Sequence, residues 1–312
     1  MKKILCCGSV TTDILVKPVD SVPTPGTLRS VDSITTYVGG CATNCASDLG
    51  KLGVPVAVSC RVGDDLYGDF ICSELQKNNV DIAGVARGPE ATTLSVVCIQ
   101  STGERSFLYN PGSSAAYCPE DINWDVVDEC DIVFYAGAML LSTFDGENCA
   151  KFLQECRNRG KFTVLDTAWD FDDVWFPKLA PVFDGLDLFM PSYDEAVKLS
   201  GETEVEKIAA FFFDKGVKNM IIKVGADGAY VQPGGEKGTI YPTYRSIKPV
   251  DTTGAGDSFC AGFLAGLANG WDFARSAQLG NAVGTHCITA VGASTGIVSL
   301  EETLKFMEET PL

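Results

Sequence analysis

Short apolar runs alternate with longer amphipathic stretches along most of this chain. Runs at Lys3–Cys7, Val56–Cys60, Asp131–Tyr135, Phe162–Asp166, Leu186–Met190 and Met220–Val224 predict strands. Between them, apolar residues recur every three or four positions. That period predicts helices over Cys41–Leu52, Tyr67–Asn78, Gly146–Arg159, Tyr193–Ser200, Val205–Lys215, Ser258–Asn269, Asp272–Cys287 and Leu300–Glu309. The rhythm is that of an α/β fold with a parallel sheet and crossover helices. Residues 14–38 and 93–110 break it, with β-branched alternating segments, turn signals (Pro23, Pro25, Gly26; Thr102-Gly103) and no helical period. They predict hairpin strands of a small separate sheet, two excursions that could pair in space as a lid. No Pro- or Ser-rich linker and no internal repeat divides the chain, so residues 1–312 are expected to form one domain with an appendage.

Composition narrows the partners. The net charge of −17 excludes the basic footprint of a nucleic-acid binder and disfavours an anionic membrane surface. With only 24 Lys and Arg, a bound phosphate would depend on backbone N–H groups and on Mg²⁺. The apolar run after Met1-Lys2-Lys3 is too short for a secretion signal and reads as a first strand. No segment approaches the ~18 apolar residues needed to span a membrane. Thirteen cysteines without CxxC pairs suit a reducing cytosol, so a cytoplasmic location is expected. Cys41 and Cys45 lie four apart on a predicted helix, but no second pair or nearby histidine supports a metal site. His286, the one histidine, reads as a helix residue with a local partner.

The most informative segment is Asp251-Thr-Thr-Gly-Ala-Gly-Asp-Ser-Phe259. A glycine turn runs into a helix N-terminus, where unpaired N–H groups and the helix dipole converge and attract phosphate. Asp257 would repel that phosphate unless it is there to take a proton; the alternative is a plain glycine turn with Asp257 as an ordinary N-terminal cap. An anion cradle beside a base is what phosphoryl transfer to a hydroxyl requires. At the other end of the chain, Gly39-Gly40 precedes a predicted helix whose first turn carries Asn44, an amide suited to a vicinal diol. Asp13 follows the first strand, where carboxyl ends of open α/β sheets face a ligand crevice. Ser192 and Glu195 form a capping box at a strand-to-helix junction. Lys223-Val-Gly225-Ala-Asp-Gly228 is a turn after a strand, weak evidence by itself for nucleotide contact. Arg105, on the expected lid, reads as a surface or lid-packing residue, with ligand contact as the alternative.

In this order, Gly39-Gly40-x-x-x-Asn44-x-Ala46 and Asp251-Thr-x-Gly-Ala-Gly-Asp257 resemble the two hallmark motifs of the ribokinase-like carbohydrate kinases, the PfkB family. The resemblance runs from Lys3 to about Glu309. It implies a doubly wound, mainly parallel sheet flanked by helices, with a β-sheet lid over the sugar. It also implies ATP-dependent phosphorylation of a hydroxymethyl group, with Asp257 as general base and the N–H groups of Gly254, Ala255 and Gly256 as an anion hole. By the same resemblance, Asp13, Gly39, Gly40 and Asn44 bind the sugar. Ser192, Lys223, Gly225, Gly228 and Asn281 line the nucleotide site, and Glu195 holds Mg²⁺ through water. Asp251 and Thr253, with the Ala290–Ser294 loop, match a site for a monovalent cation, K⁺, found in many members. The chain departs from the pattern at Ser192, which replaces an Asn, at Gly112-Ser113-Ser114, and at Gly137-Ala138-Met139, which lacks an acid that contacts ribose.

The expected acceptor is a small, unphosphorylated sugar of ribose, fructose or ketodeoxy-sugar type, because the candidate segments carry only isolated Lys17, Arg29 and Arg105. A nucleoside kinase and a catalytically silent binding regulator are the alternatives. A dinucleotide oxidoreductase is disfavoured, since Gly8-Ser-Val-Thr-Thr-Asp13 holds no G-x-G-x-x-G. Exposed lid edges lead us to expect a homodimer through the lid.

Overall fold

The computed structural model describes all residues from Met1 to Leu312. Its strands are β1 (Ile4–Gly8), β2 (Thr11–Lys17), β3 (Ser33–Gly39), β4 (Val56–Gly63), β5 (Asp81–Gly88), β6 (Leu94–Ile99), β7 (Arg105–Asn110), β8 (Ile132–Ala138), β9 (Phe162–Thr167), β10 (Leu188–Phe189), β11 (Asn219–Lys223), β12 (Ala229–Pro233) and β13 (Thr239–Tyr241). The helices are α1 (Cys41–Lys51), α2 (Leu66–Lys77), α3 (Gly112–Ala116), α4 (Trp124–Glu129), α5 (Glu147–Asn158), α6 (Phe176–Leu179), α7 (Tyr193–Ser200), α8 (Val205–Asp214), α9 (Ala255–Ala268), α10 (Phe273–Cys287) and α11 (Leu300–Glu309).

Nine strands form the main sheet in the order β13-β12-β11-β10-β9-β8-β1-β4-β5. It is parallel from β5 to β11, and β12 pairs antiparallel with both β11 and the edge strand β13. The continuous apolar runs explain this core. In β1, Ile4 and Cys6 enter one apolar cluster with α1, α9 and α10, while Leu5 and Cys7 enter a second with α5 and α8. Glycines let α9 and α10 approach closely: a Cβ on Gly262 would lie 2.8 Å from the Gly280 Cα.

A second, smaller sheet, β3-β2-β6-β7, takes its strands from the two excursions at 14–38 and 93–110, with β2 beginning earlier than expected, at Thr11. Three strands of the main sheet were not expected. β5 is an edge strand with half-buried positions and small residues, Ala83-Gly84-Val85-Ala86, which leave no clear alternation. β12 and β13 form a short antiparallel hairpin around Pro233-Gly234-Gly235. No helix is long and apolar enough to cross a membrane.

Candidate active site

Helix α9 starts at Ala255, three residues earlier than its apolar pattern predicts, so Asp257 sits in the first helical turn and not in a preceding loop. The cause is Gly254, which caps the helix with φ +79°. A Cβ there would also lie 2.5 Å from the Ala293 Cβ, so glycine is required on both counts. The N–H groups of Gly254, Gly256 and Asp257 have no protein acceptor, but that of Ala255 is engaged by the Thr252 carbonyl at 3.2 Å. The anion cradle expected at Gly254, Ala255 and Gly256 therefore presents the first and third of these donors, with Asp257 N–H beside them.

Helix α1 supplies the partner of Asp257. Asn44 Nδ2 donates to Asp257 Oδ2 at 2.8 Å. Asn44 Oδ1 is buried and without a partner, an acceptor left for a hydroxyl. One turn on, the buried Asp48 accepts from Ser258 Oγ at 2.5 Å, a second link between the two helices. Burial pushes the Asp257 carboxyl above its usual range, against the pull of Asn44 and Lys223. Asp13 arrives from the lid strand β2, not from the carboxyl end of β1 as expected, because β2 begins already at Thr11. Gly39 makes room for it: a Cβ on Gly39 would lie 2.1 Å from Asp13 Oδ2. Gly40, at φ +96°, passes so close to Ser9 and Val10 that a Cβ would lie 2.5 Å from the Val10 Cα. Burial raises the Asp13 carboxyl to about 6.

The carboxyl ends of β9, β10 and β11 bring a second group of charges to the same helix terminus. Lys223 Nζ pairs with the buried Asp166 at 2.6 Å. The same ammonium is 3.5 Å from where a Gly256 Cβ would stand, against the anion turn. Burial works to lower the Lys223 pKa, but the Asp166 carboxylate holds it well above the ordinary lysine range. Glu195 and Ser192 form the expected capping box of α7. Glu195 Oε2 also accepts from Thr167 Oγ1 at 3.0 Å, while its Oε1 receives no protein hydrogen bond. Gly225 (φ +60°) and Gly228 (φ +102°) shape the turn between β11 and β12. A Cβ on Gly228 would lie 2.0 Å from the Tyr241 carbonyl oxygen. Asn281, on α10, donates its amide to the carbonyls of Tyr241 and Pro242 at 2.9 and 3.1 Å, so it braces this rim.

Sequence reasoning missed Asp166 and Thr167. Their signal was position, at the carboxyl end of a correctly expected strand. It also left the target of Arg105 undetermined. Arg105 Nη2 meets Asp251 Oδ1 at 2.7 Å, and its Nη1 donates to Thr253 Oγ1. Asp251 further accepts from Thr253 N at 2.9 Å and Gly292 N at 3.1 Å. Burial acts to raise the Asp251 carboxyl, but these donors and Arg105 hold it below its usual range. His286 lies on α10 and packs its ring 4.7 Å from that of Phe306 on α11, a partner from another helix and not a local one.

Comparison with known proteins agrees with this arrangement. Residues 1–300 match the model of the pfkB family carbohydrate kinases. The chain is 27% identical to 2-dehydro-3-deoxygluconokinase of Bacillus subtilis, over 90% of each chain. It is also 27% identical to aminoimidazole riboside kinase of Salmonella typhimurium, covering 95% of this chain and 92% of that one. Its fold superposes on Arabidopsis thaliana ribokinase, solved with ribose and ATP, with a TM-score of 0.86, 25% identity and 99% of both chains covered. Glycine turn, helix-borne carboxylate, lid and matched sequence all lead to one assignment: the chain belongs to the pfkB family of carbohydrate kinases.

Proposed function

We propose that this kinase transfers the γ-phosphoryl group of ATP to a hydroxymethyl group of a small, unphosphorylated sugar, with Asp257 as general base. The observation that carries the reading is Asp257 itself. It is the carboxylate at a helix N-terminus whose neighbouring N–H groups are free, and it is oriented by Asn44 at 2.8 Å. Its raised pKa brings it nearer to the pH at which a base is both ionised and able to take a proton. Asp257 accepts the hydroxyl proton as the oxygen attacks the γ-phosphorus; the new O–P bond forms as the bond to the ADP oxygen breaks. The N–H groups of Gly254 and Gly256, with Lys223, meet charge on the transferring group. Each such donor is worth about 3 kcal/mol in the transition state.

Asp13 and Asn44, with Gly39 and Gly40 allowing close approach, would bind the acceptor hydroxyls. Gly225, Gly228, Asn281 and Ser192 would frame the nucleotide. The residues fit Mg²⁺: Glu195 Oε1 is free, and no three acidic or thiol side chains converge to hold a metal directly, so the ion would keep waters. When bound, it neutralises triphosphate charge. An unphosphorylated acceptor is favoured because Arg105 is engaged by Asp251 and both Lys17 and Arg29 are exposed. A nucleoside is the second reading, favoured by Tyr109 and Phe107, exposed on the lid face that carries Asp13. The silent-regulator alternative gains nothing, since the base and its anion turn are both present.

We further place a second copy of the chain on the lid. The outer edges of β3 and β7 are unpaired, and Ile34 and Leu108 are exposed on the lid face away from Asp13. Light scattering should give the mass of a dimer; a monomer would end that part. Thirteen free thiols support a reducing cytoplasm.

The test is ADP release over ribose, fructose, ketodeoxy-sugars, other hexoses and nucleosides, with Asp257→Asn as control. Asp257→Asn should keep ATP affinity and lose at least about 10²-fold in kcat. Near-wild-type turnover by that variant would overturn the mechanism.

A further inference from the structure

A monovalent cation at Asp251 and Thr253, as the family resemblance implies, does not fit the oxygens found there. Asp251 Oδ1 already meets Thr253 N–H and the Arg105 guanidinium, and its Oδ2 meets Gly292 N–H. Thr253 Oγ1 also accepts from Arg105. The carbonyls of Thr253 and Ala293 face the Cys287 thiol at 3.3 and 3.1 Å. A second side-chain cation holds the far end of the same loop, Lys51 Nζ on the Ser294 carbonyl at 2.6 Å.

We propose that Arg105 is a positioning residue that supplies, from the lid, the positive charge this socket requires, so that the enzyme works without K⁺. The Asp251 side chain is only 2% exposed, and a carboxylate so enclosed needs a cation beside it. Arg105 provides one with two donors, a geometry that a planar guanidinium suits. The position couples two parts of the site. Asp251 bonds both the turn before Gly254 and the loop at Gly292, so its charge balance sets the geometry of the anion turn. Arg105 stands at the start of β7, opposite Ile99 of β6, and so makes that balance depend on where the lid lies. The other lid edge reaches the same loop, since a Cβ on Gly292 would lie 3.1 Å from the Tyr37 ring. With the lid down, the socket is filled and the anion turn is set; with the lid raised, Asp251 loses its partner. The idea rests on the kinase reading only in its activity arm.

The test compares wild type, Arg105→Met and Arg105→Lys in buffers whose only monovalent cation is tetramethylammonium or K⁺. Thermal unfolding and ADP release are both measured. For the wild type, K⁺ should change neither the melting temperature nor kcat. Arg105→Met in tetramethylammonium should lose at least about tenfold in kcat, as follows from stripping one partner from a buried charge. K⁺ should restore most of that loss and raise the variant's melting temperature by about 3 °C or more. Arg105→Lys should need K⁺ less than Arg105→Met. A wild type stabilised or activated by K⁺ would overturn the proposal. So would an Arg105→Met variant indifferent to cation, or one whose loss K⁺ cannot repair. Unfolding involves no turnover, so a wild type silent on every acceptor would count against the kinase reading, while the melting temperatures would still decide the role of Arg105.

Discussion

Replacing Asn44 with leucine isolates the contact between the two ends of the chain. Leucine keeps the number and branching of the side-chain heavy atoms and removes the amide donor and acceptor. Asn44 Nδ2 donates to Asp257 Oδ2 at 2.8 Å, a bond made to the ionised form of the carboxyl. A hydrogen bond to a charged group contributes about 1.5–3 kcal/mol. One pKa unit corresponds to about 1.4 kcal/mol, so its loss raises the Asp257 pKa by about one to two units. Asp257 is only half-buried, which argues for the lower figure, about one unit.

The sign follows from the role. A base acts when ionised, and burial already holds this one above its ordinary range. Removing a bond that favours ionisation moves the acid limb of the kcat/KM profile to higher pH. On that limb Asn44→Leu should be about tenfold slower than wild type at equal pH, the equivalent of one pKa unit. Well above it, kcat should recover, leaving a raised KM for the acceptor because the Asn44 Oδ1 acceptor is gone. The assay is ADP release from pH 5 to 9 at saturating ATP. An acid limb at the wild-type pH, with activity lowered equally throughout, would refute the reasoning and reduce Asn44 to a sugar contact.

Gly39→Ala should fold, since Gly39 does not have a positive φ, but its Cβ would displace the Asp13 carboxylate 2.1 Å away. The acceptor KM should rise at least about tenfold, the ~1.4 kcal/mol of one weakened hydrogen bond, with ATP affinity unchanged by calorimetry. Asp48 is fully buried and its carboxyl is raised to about 7. Its folded pKa exceeds its unfolded value of about 3.9, so the stability it contributes is complete below pH 4 and is lost as pH rises towards 7. Asp48→Asn should remove that decline, leaving the variant more stable than wild type by about 2–4 kcal/mol at pH 8 in urea unfolding. An unchanged pH dependence would show that Asp48 does not titrate there.

What the sequence disclosed follows from how local each signal is. Strands such as Val56–Gly63 are buried on both faces, so their apolar runs are continuous and readable. β5 is an edge strand of small residues, and nothing in its pattern marks it. The Gly254 turn and Asp257 were legible because their chemistry lies within a few adjacent residues. The start of α9 was misplaced because its first turn, Ala255-Gly256-Asp257, carries no large apolar side chain; a glycine conformation sets it, not periodicity.

Contacts between distant residues behave differently. That Asn44 would meet Asp257, or that Lys223 would pair with Asp166, depends on α1 lying beside α9 and on β9 and β11 flanking β10. Arg105 is the extreme case, because its target is set by where β7 of the lid meets the Asp251–Thr253 turn. A lone arginine on an expected strand and an aspartate ahead of a glycine turn carry no mutual signal. Once the lid lies across the loop, a buried Asp251 in this place demands a positive partner, and the chain supplies one. The cation site expected at Asp251, Thr253 and the Ala290–Ser294 loop is drawn from residues of one neighbourhood, so it expresses only that a positive charge belongs there. It leaves open the source of that charge, which here is a residue more than a hundred positions away.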